Sequence, residues 1–217
     1  MSEFWSQVVA AAQAMSGWEV AAVVLALAYL VLAIQQSQWC WYAAFASTAI
    51  FSVLFWDVSL VMESALNVFY LVMAVYGWWS WRYGGGRGQT AQPLPIQSWG
   101  ISQHVRISGV IVLLTLVSGF LLSRYTEAAL PYLDSFTTWG AVITTWMVAR
   151  KVLQNWLYWQ VFNSAAIVLY IDRELYLTAL LMALYLVMAV IGWWRWKADY
   201  AAQQNDSDSD SGFAHAG

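Results

Sequence analysis

The sequence predicts an all-helical, polytopic membrane protein with seven transmembrane helices, arranged as two parallel three-helix repeats and one connecting helix. Two observations carry this prediction. The chain is 61% hydrophobic and only 10% charged, whereas about a quarter of the residues in an ordinary soluble domain are charged. In addition, the stretch 71–81 (LVMAVYGWWSW) recurs almost unchanged as 186–196 (LVMAVIGWWRW). Each copy ends in a tryptophan cluster followed by a cation, as helices do where they leave a bilayer.

Seven apolar runs are each about long enough to cross a hydrocarbon core of ~30 Å at ~1.5 Å per helical residue. In chain order they are 18–34, 39–56, 60–81, 105–122, 132–153, 155–171 and 175–196. The first run ends at a polar stretch, QQSQ, and three glycines and two prolines interrupt the chain between the third and fourth.

A constant offset of 115 residues relates the two tryptophan-rich stretches, and it also pairs Trp41 with Trp156 and Tyr70 with Tyr185. Spans one to three therefore repeat as spans five to seven. Because three is an odd number, two triplets joined directly would be inverted, and the fourth span restores a common orientation. This 3+1+3 order predicts parallel bundles related by an axis along the membrane normal, a transporter architecture with its site near the midplane.

The same pattern divides the chain into five segments. They are an N-terminal segment (1–17), a first three-helix bundle (18–82), a loop with the linker helix (83–131), a second bundle (132–197) and a disordered acidic tail (198–217). We expect the tail to be disordered because it is polar and has little to bury.

Lysine and arginine predict the orientation, because they are enriched in cytoplasmic loops. The side that bears the N-terminus holds only Arg124 and Arg173, and the opposite side holds the other seven cations. We therefore expect the segment 1–17 in the periplasm, and the loop 83–104 and the C-terminal tail in the cytoplasm.

Polar side chains at membrane depth are costly and usually functional, and here they form stripes on helical faces. Bonding between helices, worth about 1 kcal/mol or less per pair, explains a lone amide, but two stripes of amides, indoles and phenols in matched repeats favour a ligand site. The candidates are Glu63, Asn67 and Tyr70 in the third span, Trp156, Trp159, Gln160 and Asn163 in the sixth, and Tyr185 in the seventh.

The sixth-span stripe has no polar counterpart in the second span. At the common offset, the first repeat keeps one tryptophan and places Ala44, Phe45 and Thr48 opposite the other three residues of the stripe. A purely structural stripe has little reason to be so uneven. We therefore expect the sixth span to govern binding more than the second.

These motifs resemble the PnuC family of vitamin transporters. The residues Asn67-x-x-Tyr70 followed by YGWxxW (76–81) are similar to its third-helix signature, and WxxWxxxN (156–163) with LYLTA (175–179) is similar to its sixth and seventh helices. The resemblance covers 18–196. It implies passage of nicotinamide riboside across the bacterial inner membrane, with related members carrying thiamine or riboflavin. It also implies facilitated diffusion made one-way by a cytosolic kinase, and trimeric assembly.

The resemblance further implies that Trp156, Trp159, Asn163, Asn67 and Tyr70 contact the ligand. The chemistry of these side chains agrees with that. Indole and phenol faces attract a cationic ring, by up to ~2 kcal/mol when desolvated, and amides both donate to and accept from ribose hydroxyls. Thiamine carries a cationic ring as well, so the residues leave nicotinamide riboside and thiamine as alternatives.

Other classes of protein lack their residues in this sequence. The segment GGGRGQT (84–90) lacks the Gly-Lys-Ser/Thr ending of a phosphate-binding loop. The two histidines lie in a loop and in the tail, and no spacing of His, Cys and carboxylates suggests a metal. The lone Cys40 excludes an internal disulfide, and no basic stripe suggests nucleic acid. We therefore expect no enzyme and no cofactor, and a membrane sensor or scaffold that binds the ligand without moving it is the rival class.

Overall fold

The computed structural model describes residues 2–57, 61–86, 92–126 and 129–214. Within these ranges the regular structure is helical. The helices are α1 (Ser2–Ala14), α2 (Gly17–Ile34), α3 (Trp39–Asp57), α4 (Val61–Tyr83), α5 (Ile101–Tyr125), α6 (Pro131–Ala149), α7 (Asn155–Asp172) and α8 (Tyr176–Ala214). The prediction of an all-helical protein is confirmed.

Each predicted span falls on one helix from α2 to α8, although several ends differ. Helix α2 begins at a capping box, in which the Ser16 hydroxyl accepts from the Glu19 N–H and the Glu19 carboxylate accepts from the Ser16 N–H. Helix α6 ends at Ala149 rather than at residue 153, because Arg150 and Lys151 already belong to the turn that precedes α7.

Four of the described helical segments are long and apolar enough to cross a membrane, namely Gly17–Ile34, Trp39–Asp57, Ile101–Tyr125 and Tyr176–Asp206. They make the chain a multi-pass membrane protein. Helices α6 and α7 fall below the same measure, because they contain threonines, amides and aromatic residues that lower hydropathy. The count of seven spans therefore stays a prediction.

Helix α1 occupies most of the segment 1–17, for which the sequence predicted no element. It packs against the start of α8, where the rings of Phe4 and Tyr176 lie 5.2 Å apart. Val8 on the same helix is buried. The spacing of Phe4 and Val8 by four residues places both on one face of α1.

The helices of the two bundles match at the predicted offset. Adding 115 to the first residues of α2, α3 and α4 gives the first residues of α6, α7 and α8 to within one position. The packing matches as well. A Cβ atom on Gly77 would overlap the Trp41 ring, and one on Gly192 would overlap the Trp156 ring, so each glycine lets a tryptophan lie directly on the backbone of the neighbouring helix.

Four tryptophans join the two bundles at one end of the molecule. We call them, together with the buried residues around them, the tryptophan core. Within each bundle two rings meet edge to face, Trp41 with Trp81 at 5.3 Å and Trp156 with Trp196 at 5.4 Å. The hydrogen bonds cross between bundles, because Trp81 Nε1 donates to the carbonyl of Val148 at 3.0 Å and Trp196 Nε1 donates to the carbonyl of Ala33 at 3.1 Å. The last helix of each bundle is thus bonded to the first helix of the other.

Most of the cations surround these tryptophans, so we call this side of the molecule the basic end. Here Lys151 and Gln36, which are themselves 115 residues apart, meet through a bond of 3.1 Å from Nζ to Oε1. Both have left-handed backbones, with φ of 49° and 55°. Gln36 Nε2 donates to Asp199 Oδ2 at 2.7 Å, and the Lys151 ammonium lies 4.7 Å from the centre of the Trp81 ring. We call these four residues the Lys151 network.

Burial lowers the pKa of Lys151 from its ordinary 10.5 to about 8, while Cys40 and Asp199 act in the opposite direction. The side chain can be buried because its ammonium has both a hydrogen-bond acceptor and an aromatic face to stabilise its charge.

The chain that follows α4 packs against the basic end in an extended conformation. Leu94 and Ile96 are buried. The Gln97 N–H donates to the carbonyl of Lys151 at 2.9 Å, and the Leu153 N–H donates to the carbonyl of Gln97 at 2.8 Å. Residues 87–91, which include the second part of the glycine-rich segment 84–90, lie outside the described ranges.

The structure corrects the prediction of a disordered tail from Ala198. Helix α8 continues to Ala214, and its first two extra turns are held by contacts that composition does not reveal. Asp199 accepts from Gln36, Tyr200 packs against the tryptophan core, and Gln203 Oε1 accepts from the Ile96 N–H at 3.2 Å. Between Ala198 and Gly212 the sequence contains neither proline nor glycine.

Helix α5, predicted as the linker, lies at the side of the molecule. It packs against α6, where Trp139 Nε1 donates to the Ser118 hydroxyl at 3.0 Å and Gly119 lies against the Tyr132 ring.

Candidate functional site

Six of the eight predicted site residues lie between the basic end and the middle of the bundles, whereas Asn67 and Glu63 come earlier in α4, further from the basic end. Tyr70 precedes Trp81 by the same number of residues as Tyr185 precedes Trp196, a distance of ~16 Å along a helix. In a hydrocarbon core of ~30 Å this depth is near the midplane. Because α7 and α8 are antiparallel and Trp156 lies against Gly192, helix geometry brings Asn163 to about the level of Tyr185.

Trp156 is part of the tryptophan core. It is 1% exposed, its ring lies against Gly192 and Trp196, and its Nε1 has no hydrogen-bond partner. Trp41, the equivalent residue, is 2% exposed and also has an unpartnered Nε1. The two residues share one packing role, so the predicted contact between Trp156 and the ligand stays a prediction.

The other residues of the sixth-span stripe are more open towards the midplane. Trp159 and Gln160 are half-buried, and Trp159 packs against the edge of the tryptophan core. Asn163 is 5% exposed. Its amide forms no hydrogen bond to any residue that the structure describes. The small exposed part of Asn163 includes its amide, so a donor and an acceptor are available to a ligand.

The equivalent positions in α3 have no such capacity. The Thr48 hydroxyl donates to the carbonyl of Ala44 in its own helix at 2.8 Å. Ala44 is packed against the tryptophan core, and Phe45 is 47% exposed. The two repeats therefore differ in their available hydrogen-bonding groups as well as in their sequence.

Tyr70 and Tyr185 come from different bundles but share a neighbour. The phenols of both lie within electrostatic range of the Tyr29 phenol on α2, and Tyr70 lies within range of Tyr170 on α7. The structure thus brings together the third-span and seventh-span candidates around a residue that the sequence analysis missed. A signal for Tyr29 existed, since it is a lone phenol within an apolar run, VLALAYLVLAI.

Two candidates are less completely defined. Asn67 lies half-buried on α4, one turn before Tyr70, and it has an interaction partner. Glu63 belongs to the first turn of α4, but its side chain lies outside what the structure describes.

Two grooves of the described chain lie away from these residues. One, of about 280 Å³, lies between α5 and α7 and is lined by residues such as Ile111, Leu157 and Val161, and another, of about 340 Å³, lies at the start of α5. Among the described residues no group of His, Cys, Asp and Glu side chains could hold a metal ion.

Comparison with known proteins agrees with this fold. Residues 16–198 match the family described as Nicotinamide mononucleotide transporter. Proteins named Nicotinamide riboside transporter PnuC from Escherichia coli (strain K12) and Shigella flexneri are 23% identical to the chain over 157 residues. That similarity covers 62% of this chain and 65% of each relative, so the chain spans slightly less than two thirds of their length.

The crystal structure of the vitamin B3 transporter PnuC superposes on the protein with a TM-score of 0.70. The superposition covers 92% of this chain and 88% of that chain, at 19% identity. Together with the apolar helices, this likeness in fold defines a multi-pass helical membrane protein. The chain belongs to the nicotinamide mononucleotide transporter family, a family of transporters and not of enzymes.

Proposed function

We propose that this protein carries nicotinamide riboside across the bacterial inner membrane by facilitated diffusion. A cytosolic kinase then phosphorylates the imported ligand, which cannot return once it carries a phosphate. The family match over residues 16–198 carries the proposal, and the relatives named for nicotinamide riboside supply the substrate.

The proposed architecture has seven spans, α2 to α8, in the 3+1+3 order, and three copies of the chain form the assembly. The equivalent glycine–tryptophan contacts and the crossed indole bonds support two related bundles. The N-terminus faces the periplasm and α8 ends in the cytoplasm, because the basic end carries most of the cations.

The proposed binding residues are the eight sequence candidates, and Asn163 is the most specific of them. Its unpartnered amide offers a donor and an acceptor at once, which suits a ribose hydroxyl. The indole of Trp159 and the phenols of Tyr70 and Tyr185 offer faces for the cationic pyridine ring. The others are Trp156, Gln160, Asn67 and Glu63.

Facilitated diffusion follows from what the sequence offers for energy coupling. No phosphate-binding loop is present to harness a nucleotide. The membrane-depth carboxylate on the proposed site is Glu63, and a carboxylate there attracts a cationic ligand without any need to move a proton.

The test is uptake by proteoliposomes that contain the purified full-length protein and no kinase. Labelled nicotinamide riboside should enter until the concentrations inside and outside are equal, and a proton gradient should not raise it further. Asn163→Ala should slow uptake at low ligand concentration, and Thr48→Ala, at the equivalent position, should not.

The same experiment separates the alternatives. Faster uptake of thiamine than of nicotinamide riboside would assign the substrate to thiamine instead. Binding that saturates at one ligand per site, with no filling of the lumen, would identify a sensor or scaffold. Accumulation above equilibrium that depends on a proton gradient would refute facilitated diffusion.

A further inference from the structure

A groove at the start of α5 gathers cationic and aromatic side chains from three parts of the chain. The groove has a volume of about 340 Å³. Its main residues are Trp99 from the extended segment, Gln103, Arg106 and Ile107 from α5, and Trp146 and Arg150 from the end of α6. We call it the Arg106–Arg150 groove.

The two arginines of this groove are not paired with an acidic side chain in the described ranges. Neither guanidinium takes part in a hydrogen bond or an ion pair with any residue in the described ranges, whose ion pairs involve Arg173 and Arg195 instead. No acidic side chain lines the groove or occupies the first turn of α5. The N-terminus of α5 adds the partial positive charge of the helix dipole.

The groove also offers amide donors, since Gln97 lines it as well. The Gln103 Oε1 atom accepts from the Gly100 N–H at 2.8 Å, and the Gln103 NH₂ group remains as a donor. Each guanidinium presents five N–H donors in a planar fork that matches a phosphate. The chemistry of the groove therefore selects an anion with several oxygen atoms.

The surroundings of the groove favour a lipid as the source of that anion. The Trp99 and Trp146 rings lie 5.6 Å apart at the basic end, the level at which tryptophans meet lipid headgroups. The helical face that bears Gln103, Arg106 and Ile107 continues as Val110, Leu113 and Val117. These three are 45%, 61% and 52% exposed, and a soluble anion gains nothing from such a face.

We propose that the Arg106–Arg150 groove binds the headgroup of an anionic phospholipid, with an acyl chain lying along the exposed apolar face of α5. The phosphodiester accepts from the two guanidinium forks, and the apolar residues of α5 contact the chain. Basic pockets between helices at the cytoplasmic boundary bind such headgroups in other membrane proteins. This site is separate from the proposed transport site, and it stands whichever vitamin is carried.

The test is native mass spectrometry of the full-length protein titrated with phosphatidylglycerol and with phosphatidylcholine of the same acyl chains. Phosphatidylglycerol should bind at least about ten-fold more tightly, because phosphatidylcholine adds to the same phosphodiester a choline cation that the two arginines repel. The double variant Arg106→Gln/Arg150→Gln should lose most of that preference. Arg82→Gln is the matched control, because Arg82 is an exposed arginine of the same end that does not line the groove.

A third variant and a soluble ligand distinguish lipid binding from misfolding and from a site for soluble anions. Arg106→Lys retains the charge but not the planar fork, so an intermediate preference supports the proposal even if the double variant does not fold. Equal binding of the two lipids, or an equal loss in Arg82→Gln, would overturn it. Binding of glycerol phosphate as tightly as phosphatidylglycerol would identify a soluble-anion site and also overturn it.

Discussion

At Asn163 a side-chain amide has no hydrogen-bonding partner among the described residues. At Thr48, the equivalent position, the hydroxyl is satisfied by its own helix. Lys151 and Gln36 also occupy equivalent positions, and their side chains meet. One repeat carries an ammonium there and the other carries an amide. Single residues therefore give chemically different roles to two bundles that pack alike.

Asn163→Ala should weaken the binding of nicotinamide riboside by about 1–3 kcal/mol, because a ligand hydroxyl would be left unpaired in a dry site. Thr48→Ala should bind like the parent. The measurement is ligand titration on purified variants that elute as the parent does in size exclusion. A parent-like Asn163→Ala together with a weakened Thr48→Ala would place the site in the other bundle.

Lys151 should make stability depend on pH. Its pKa is about 8 in the folded protein and higher when unfolded, so the unfolded state binds more protons above pH 8. Stability should therefore rise as the pH increases from about 8 towards 10. Lys151→Met should flatten this rise, and Lys197→Met, which changes an exposed lysine, should not. Thermal unfolding in detergent between pH 7 and 9.5 measures both, and an unchanged slope in Lys151→Met would contradict the assignment.

Among the helices, the paired elements α3 with α4 and α7 with α8 depend on a glycine beneath a tryptophan. The apolar runs predicted these helices, and the offset predicted which of them correspond, because both features are local or periodic in the sequence. The helical tail, α1 and the packed segment around Ile96 were not predictable in this way. Their order depends on distant partners, such as Gln203 for the Ile96 N–H, which composition does not encode.

Gly77→Ala and Gly192→Ala should each destabilise the protein, by about 1–3 kcal/mol, because the added methyl group overlaps a tryptophan ring. Gly109→Ala on α5 is the control, since nothing lies near the position of its Cβ atom and alanine is the better helix former. Retention of the monodisperse peak after heating, compared across the three variants, measures the effect. Equal retention in all three would mean that the rings move aside at no cost.

On the scale of the whole molecule, most of the described cations, the Lys151 network and the tryptophan core share one end. The sequence predicted the depth of the site residues but not which faces meet, because convergence depends on how the two bundles pack. The contacts of α4 with α6 and of α2 with α8 determine that packing. The same packing brings Tyr70 and Tyr185 within electrostatic range of Tyr29.

The basic end should face the cytoplasm. Reporters inserted at Gly88 and fused after Gly217 should both give cytoplasmic signals, because seven of the nine cations lie on that side. A reporter inserted at Glu127 serves as the opposite control and should read periplasmic. A periplasmic signal from either of the first two would rule out the 3+1+3 order with the N-terminus outside.

The crossed indole bonds also impose an order on biosynthesis. Trp81 must wait for the carbonyl of Val148, which lies 67 residues further along the chain, and at ~5–20 residues per second the ribosome needs about 3–13 s to reach it. The Ala33 carbonyl waits longer still, for a tryptophan 163 residues away. The first bundle therefore enters the membrane before its partner exists, and neither half of the chain can complete its own hydrogen bonding until the last helix has been made.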